Sequence, residues 1–157
     1  MTPLPPIPRD PRLTQRRFFT HWVTERVRWS DTDQVGHVNN LAFCTYIETG
    51  RTEFMRHLVS RDVESRVLLL MAQINVSFLG EVHWPSDVDV GTCVLDIGRS
   101  SCRIGHGLFL GEQCVSSADS LLVMIDESTR KPQEIPPHVR AHLAEFLPRA
   151  EGLPSAA

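Results

Sequence analysis

The alternation of apolar and polar residues along the chain predicts one long helix and several strands. Residues 23–29 alternate between the two classes, which indicates a strand. Residues 41–58 contain no proline and predict a helix of about five turns. Residues 72–78 alternate again, and a break at Pro85 separates them from a further strand over residues 88–94.

The second half of the chain predicts an antiparallel meander. Residues 101–110 indicate a strand, Gly111 and Glu112 a tight reversal, and residues 113–125 a longer strand. Strands joined by such short turns are antiparallel neighbours. Two consecutive prolines then suit the first turn of a terminal helix that ends near Leu147. One early helix followed by a meander predicts an α+β domain.

The predicted helix is apolar over much of its surface, as a helix enclosed by a sheet should be. Its apolar residues are Leu41, Cys44, Ile47 and Met55 near one face, with Phe43, Tyr46 and Phe54 extending around it. Gly50, in mid-helix, costs about 1 kcal/mol relative to alanine. Either a close approach of the helix to the sheet or ordinary tolerance accounts for this glycine.

The most informative segment, residues 31–40, connects the first strand to the helix. Its sequence is Asp-Thr-Asp-Gln-Val-Gly-His-Val-Asn-Asn. The free N–H groups of a helix N-terminus favour developing negative charge, so a carboxylate beside them suits attack on an ester-like carbonyl. The alternative is structural, because Asp and Asn cap helices and Gly36 supplies positive φ. A cap needs one polar residue, and this richer segment favours a functional interpretation.

The pattern Asp-x-x-Gly-His-Val-Asn-Asn, followed by a helix that contains Glu-Thr-Gly-Arg, resembles the hydroxybenzoyl-CoA thioesterase family of the hotdog fold. The matching residues are Asp33, Gly36, His37, Val38, Asn39 and Asn40, then Tyr46, Glu48 and Arg51 in the helix. A looser similarity continues through residues 98–101, 125–126 and 131–136, so that the resemblance covers about residues 22–147. It implies a hotdog fold, in which an antiparallel sheet wraps around one long central helix.

The resemblance also implies the catalytic roles. Asp33 attacks the thioester or activates water for that attack, and the backbone N–H of Asn40 polarises the thioester carbonyl. Some family branches carry histidine at the position of Asn40; asparagine there argues against a side-chain acid–base role and leaves the amide role intact. Gly36, His37 and Asn39 are the candidate substrate-binding residues of the motif. His37 either orients the thioester or bonds to the loop backbone.

Two other carboxylates compete with Asp33. If the upstream strand continues to residue 30, Asp31 and Asp33 point to the same side, so alternation does not separate them. The family spacing to Gly36 selects Asp33. Glu48 lies further along the helix, where an ion pair with Arg51 at i+3 is the alternative to a catalytic role.

Coenzyme A requires cationic partners for its phosphates, and the chain has fifteen arginines and one lysine. Arg99 and Arg103 flank the turn at Ser100 and Ser101, where family members bind the pantetheine or nucleotide portion. These four are therefore candidate substrate-binding residues. The alternative for each arginine is a solvated surface charge. Scattered arginines with a net charge of −3 argue against nucleic-acid binding.

Length and composition indicate a single globular domain, since 157 residues with a 41% hydrophobic fraction support one core. We predict a proline- and arginine-rich flexible arm over residues 1–20, either disordered or draped, a hotdog thioesterase domain over residues 21–148 and a flexible tail over residues 149–157. The longest apolar run is too short to span a membrane, and the N-terminus does not resemble a secretory signal. Four scattered cysteines indicate core residues in a reducing compartment, the cytoplasm.

Together these observations predict a cytoplasmic acyl-CoA thioesterase that needs no metal or cofactor. The resemblance implies a homodimer or homotetramer whose pockets are lined by two chains. Two alternatives remain open at this point: a non-catalytic hotdog protein that binds acyl thioesters, and a thioesterase acting on an acyl-carrier protein. The acyl chain length, its aromatic or aliphatic character, and the choice between nucleophile and general base for Asp33 do not follow from the sequence.

Overall fold

A computed structural model describes residues 10–59 and 68–148 of the chain. One antiparallel sheet has the strand order β1-β3-β4-β5-β2. Its strands are β1 His21–Arg26, β2 Leu69–Phe78, β3 Asp87–Ile97, β4 Ser101–Leu110 and β5 Gln113–Met124, and the helices are α1 Asn40–Val59 and α2 Pro137–Ala144. The predicted α+β hotdog architecture is confirmed, and the meander β3-β4-β5 is paired as expected.

α1 packs mainly over β1, β3 and β4, and its buried residues fill two clusters. The cluster near its N-terminus contains Phe43, Tyr46 and Ile47, while the cluster near its C-terminus contains Phe54 and Leu58. Between these clusters the helix lies so close to the sheet that a Cβ on Gly50 would be 2.5 Å from Val90 Cγ1. The close approach therefore explains the mid-helix glycine.

Three details of the predicted elements were wrong. β1 ends at Arg26, because the chain turns into a short 3-10 helix at Trp29–Asp31. Trp29 consequently leaves the sheet and is 71% exposed. Leu41, predicted on the core face of the helix, is 79% exposed, because it lies on the solvent side of the first turn while Ala42 and Phe43 of the same turn are buried.

The face of the sheet opposite α1 is covered by residues 10–20, which form two short 3-10 turns. Leu13 and Phe19 are buried there against Phe109. Two glycines of the sheet leave space for the Phe19 ring, because a Cβ at Gly91 or Gly107 would be 2.5 Å from it. The described part of the predicted flexible arm is thus packed on the sheet.

The remaining residues of the predicted arm, 1–9, and the predicted tail, 149–157, lie outside the described residues. The division of the chain at residues 20 and 148 stays a prediction. Neither described helix is both long enough and apolar enough to span a membrane.

Candidate active site

The loop between β1 and α1 is closed by its own backbone. The N–H of Asp33 donates to the His37 carbonyl at 3.0 Å, and the N–H of Gly36 donates to the Asp33 carbonyl at 3.0 Å. Gly36 has φ +87°, a left-handed conformation that residues with a side chain rarely adopt. The Val38 N–H then donates to the carbonyl of Val82 at 2.7 Å, which fixes the loop to the connection between β2 and β3.

Asp33 keeps its carboxylate accessible within this closed loop. One oxygen, Oδ1, accepts the N–H of Val35 at 2.8 Å. The other, Oδ2, lies 3.8 Å from Nδ1 of His37, and the Asp33 side chain is 35% exposed. The backbone thus orients one oxygen and leaves the second available to a substrate.

Asp31, two residues earlier, has the opposite environment. It is 7% exposed, and its Oδ2 accepts the Tyr46 hydroxyl at 2.6 Å and the Arg28 N–H at 2.9 Å. Burial raises the pKa of Asp31, but the hydrogen bonds from Tyr46 and Arg28 outweigh burial and leave the pKa below its usual value. The Tyr46 pKa is raised by burial and by the adjacent carboxylate. A carboxylate enclosed in this way is poorly placed to meet a substrate.

The N-terminus of α1 is capped by Asn39. Its Oδ1 accepts the N–H of Ala42 at 2.9 Å, and its Nδ2 donates to the Asp31 carbonyl at 3.0 Å. Asn40 is the first residue of the helix, and its N–H has no acceptor among the described residues. The cap therefore uses the Asn39 side chain and leaves the Asn40 amide free to polarise a carbonyl. The predicted contact of Asn39 with substrate stays a prediction.

Two histidines border the loop. His37 Nδ1 lies 3.3 Å from the Val38 carbonyl oxygen, the loop-backbone alternative of the sequence analysis. His83, which is not among the residues predicted from the sequence, places Nδ1 3.0 Å from the Gly36 carbonyl oxygen. It comes from a loop more than forty residues away, between β2 and β3, and no local spacing signals this contact.

The predicted coenzyme A residues lie on the turn between β3 and β4. The N–H of Gly98 donates to the Ser101 carbonyl at 2.8 Å, and the carbonyls of Arg99 and Ser100 accept from Ile135 and Met124. The Arg99 side chain is exposed.

Arg103 is the exception among these candidates. It forms an ion pair with Asp119, whose side chain is only 6% exposed. Arg103 is thus already paired with a buried carboxylate, whereas the Arg99 side chain is exposed to solvent.

One chain does not bring the two groups of candidate residues together. The Asp87 end of β3 pairs with Arg26, just before the loop that carries Asp33, and the Ile97 end leads into the turn at Gly98. With eleven residues in β3, the two ends are about 33 Å apart. The Asp33 loop and the Arg99 turn thus lie near opposite ends of β3 within one chain.

The described residues include all four cysteines of the chain. All four cysteines there are free thiols, and burial raises the pKa of Cys93 and of Cys102 to about 12. Within residues 10–59 and 68–148, no group of three His, Cys, Asp or Glu side chains is placed to hold a metal ion.

Comparison with known proteins assigns the chain to a family. The model of the thioesterase-like superfamily matches residues 27–143, and the chain belongs to that superfamily. The narrower resemblance to hydroxybenzoyl-CoA thioesterases stays a prediction.

Three relatives illustrate the range. A putative acyl-CoA thioesterase of Bacillus subtilis, YneP, is 27% identical over 111 residues, covering 68% of this chain and 80% of YneP. The chloroplastic acyl-acyl carrier protein thioesterase ATL2 of Arabidopsis thaliana is 29% identical over 136 residues, covering 80% of this chain and 69% of ATL2. A thioesterase of Thermus thermophilus, solved in complex with coenzyme A and Zn, superposes with a TM-score of 0.70 at 25% identity and covers 80% of this chain and 98% of that one.

Proposed function

We propose that this protein hydrolyses acyl-CoA thioesters to the free carboxylate and coenzyme A. Membership of the thioesterase-like superfamily supports thioester hydrolysis in general. The observation that carries the narrower proposal is the accessible carboxylate of Asp33 on the loop that leads into the uncovered N-terminus of α1. A nucleophile or base and an electrophilic amide are the two groups that this reaction needs.

The reaction follows from these two groups. The substrate carbonyl oxygen accepts the Asn40 N–H, and one such donor contributes about 10²–10³ in rate. Asp33 then either attacks the carbonyl carbon, which expels coenzyme A thiolate and leaves an anhydride for water to cleave, or takes a proton from the water that attacks. Both routes consume one water and release one carboxylate and one thiol. A thiolate is a good leaving group, so no strong general acid is required.

Coenzyme A is the favoured carrier over an acyl-carrier protein. A protein carrier would favour a basic surface around the pocket mouth. The two arginines just before the loop are already paired, Arg26 with Asp87 at 2.9 Å and Arg28 with Asp31 at 3.4 Å. The Thermus thermophilus relative, which was solved with coenzyme A, supports the same carrier. ATL2 supports the protein-carrier alternative, which the assay below distinguishes.

The proposed enzyme is an oligomer of at least two chains with shared sites. β2 is an edge strand of the sheet, and its ten residues leave one row of backbone groups unpaired by the other strands. Met71 and Ile74 on this strand are 43% and 37% exposed although they are large and apolar. A second copy paired along β2 would cover them, and it would supply the Arg99 turn that one chain holds too far from Asp33.

The test is thiol release from a series of acyl-CoAs that vary in length and shape, with each acyl group also presented on an acyl-carrier protein. Turnover of at least one acyl-CoA with a higher kcat/KM than its protein-bound counterpart supports the proposal. The reverse preference would make the protein-carrier alternative correct. Tight binding of acyl-CoA without any thiol release would instead identify a binding protein.

A further inference from the structure

We propose that Asp31 is the positioning residue of this site. It fixes the Asp33 carboxylate and the Asn40 amide relative to each other and does not contact the substrate. The inference rests on the proposed function, since it concerns the geometry of the same reaction. It rests on the hydrogen bonds of Asp31 on both sides of the loop. Asp31 accepts five, from atoms of Arg28, Asn39 and Tyr46, and its N–H donates to the Arg28 carbonyl at 3.0 Å.

The carboxylate of Asp31 joins the start of the loop to the second turn of α1. Its Oδ2 accepts the Arg28 N–H at 2.9 Å and the Tyr46 hydroxyl at 2.6 Å. Tyr46 is 1% exposed and packed in the core, so its hydroxyl is a fixed anchor. A hydrogen bond from a fixed donor to a buried carboxylate is short and strong, and it holds the loop to the helix.

The carbonyl of Asp31 joins the same point to the end of the loop. It accepts both the backbone N–H of Asn39 at 2.9 Å and the Nδ2 of Asn39 at 3.0 Å. This pair of contacts turns Oδ1 of Asn39 toward the N–H of Ala42, where it caps the helix. The direction of the next N–H, that of Asn40, is therefore set through Asp31.

Asp33 lies between these two attachments. The segment begins at Asp31 and is bonded back to Asp31 at its other end by Asn39. A shift of Asp31 therefore moves the Asp33 carboxylate and the Asn40 amide relative to each other. Misplacement of reacting groups by about 1 Å can cost up to about 10²-fold in rate. Because Asp31 is 7% exposed, it acts through its neighbours rather than on the substrate.

The test compares Tyr46→Phe with Phe54→Leu in the full-length protein. Tyr46→Phe removes one donor from Asp31 and keeps the ring. Phe54→Leu is the matched control, because Phe54 is a fully buried aromatic residue of the same helix in the cluster remote from the loop. We expect Tyr46→Phe to lower kcat about tenfold with KM within about twofold. Phe54→Leu should lower Tm and leave kcat near the wild-type value.

The pH profile supplies a readout that a merely structural role would not move. The charged and titratable groups around the Asp31–Tyr46 pair are Arg28 before the loop, Tyr46 on α1 and Glu25 on β1. Without the Tyr46 hydroxyl, the Asp31 carboxylate loses a donor and protonates at higher pH. The acid limb of kcat should therefore move to higher pH in Tyr46→Phe and stay unchanged in Phe54→Leu.

A second variant tests the hydrogen bond from the Asn39 side chain to the Asp31 carbonyl. Asn39→Asp keeps an oxygen for the Ala42 N–H but removes the amide donor to the Asp31 carbonyl, and kcat should fall by a similar factor. If Tyr46→Phe and Asn39→Asp lower Tm but leave kcat and the acid limb unchanged, Asp31 is only structural and the inference is overturned. Full activity of Asp33→Asn would overturn the proposed chemistry itself, and with it the positioning role.

Discussion

The two ends of α1 have different chemistry. At its N-terminus, hydrogen bonds connect Asp31, Asn39 and Tyr46, and the loop between them presents Asp33. At its C-terminus, Phe54 packs against Phe146 with ring centroids 4.9 Å apart, in an apolar cluster that extends to the terminal helix α2. Both ends pack in a buried apolar cluster, but only the N-terminal end adds this network of directional bonds. We call it the polar end and the C-terminal end the apolar end.

This difference supports the proposal that the reaction takes place at the polar end. Directional bonds fix the position of individual atoms, as catalysis requires, whereas apolar burial stabilises without orienting a particular group. The turn that carries Arg99 lies at the apolar end, about 33 Å from the loop along β3. If the Arg99 turn binds coenzyme A, as we propose, its substrate would be the one bound at the polar end of another chain.

The most direct test of this difference between the two ends is to remove the Asp33 charge at the polar end. Asp33→Asn keeps the shape of the side chain but cannot attack a thioester or take a proton. We expect kcat/KM for acyl-CoA to fall by about 10² or more, with little change in Tm because the side chain is partly exposed. Steady-state kinetics and thermal unfolding measure the two effects.

The matched variant is Asp31→Asn. It leaves the Asp33 carboxylate in place but weakens the buried network, so it should lower Tm more than Asp33→Asn does and lower kcat/KM less. The opposite order, with Asp31 essential and Asp33 dispensable, would mean that the motif is assigned to the wrong aspartate.

A second experiment separates the chains. Ile74→Glu places a charge on the half-exposed apolar edge strand β2, and the resulting desolvation cost should disrupt pairing of two copies. Light scattering at micromolar concentration should show a monomer, with activity lowered about tenfold or more because the Arg99 turn is no longer shared. Gln73→Glu, on the adjacent position of the same strand and pointing to its other face, is the control. A wild-type protein that is an active monomer would contradict the shared site.

Much of the fold could be predicted because the relevant signals are local. Helical and alternating patterns located α1 and the strands. Gly50 left two explanations open, and the structure selects the close approach of α1 to the sheet. The packing of Leu13 and Phe19 on the outer face was not predictable, because a proline-rich segment carries no periodicity. Its partners, the glycines on β3 and β4, are distant in sequence.

The candidate site was predicted only as far as the motif spacing goes. Spacing selected Asp33, but alternation could not show that Asp31 is buried, since that depends on a 3-10 turn and on the Tyr46 hydroxyl. The cap at Asn39 rather than Asn40 depends on where the helix begins. His83 reaches the loop from a distant connection, a tertiary contact that no spacing encodes.

A third prediction concerns the apolar end. Arg99→Ala should raise KM for acyl-CoA several-fold and leave kcat nearly unchanged, the pattern expected when uniform binding is lost. The effect should shrink with a pantetheine thioester that lacks the nucleotide. Raising the salt concentration should weaken binding of the full substrate more than of the truncated one, since exposed phosphate contacts are screened.

Arg103→Ala should behave differently, because Arg103 is paired with the buried Asp119. After allowance for the exposure of Arg103, about 1 kcal/mol of stability is at stake. That corresponds to a Tm lower by about 2–4 °C. Unchanged KM in both variants would show that coenzyme A is held elsewhere.

The smallest expected effect is a pH dependence of stability at the apolar end. His21 lies 6.0 Å from the Phe54 and His57 rings, and its Nε2 is buried without a partner among the described residues. Burial, reinforced by repulsion from His57 and opposed by Glu53, lowers the pKa of His21 below its usual value of 6.5. The unfolded chain therefore binds a proton at mildly acidic pH before the folded protein does.

The sign of this effect follows from proton linkage. The stabilisation is fully present above pH 6.5 and is lost as the pH falls from there toward the lower pKa of folded His21. We expect Tm to fall by a few degrees between about pH 7.5 and pH 5.5 in the wild type. His21→Phe keeps a ring among its aromatic neighbours and cannot titrate, so its Tm should fall less over the same range. If the two proteins lose Tm in parallel, His21 does not protonate differently in the two states, and the acid sensitivity arises elsewhere.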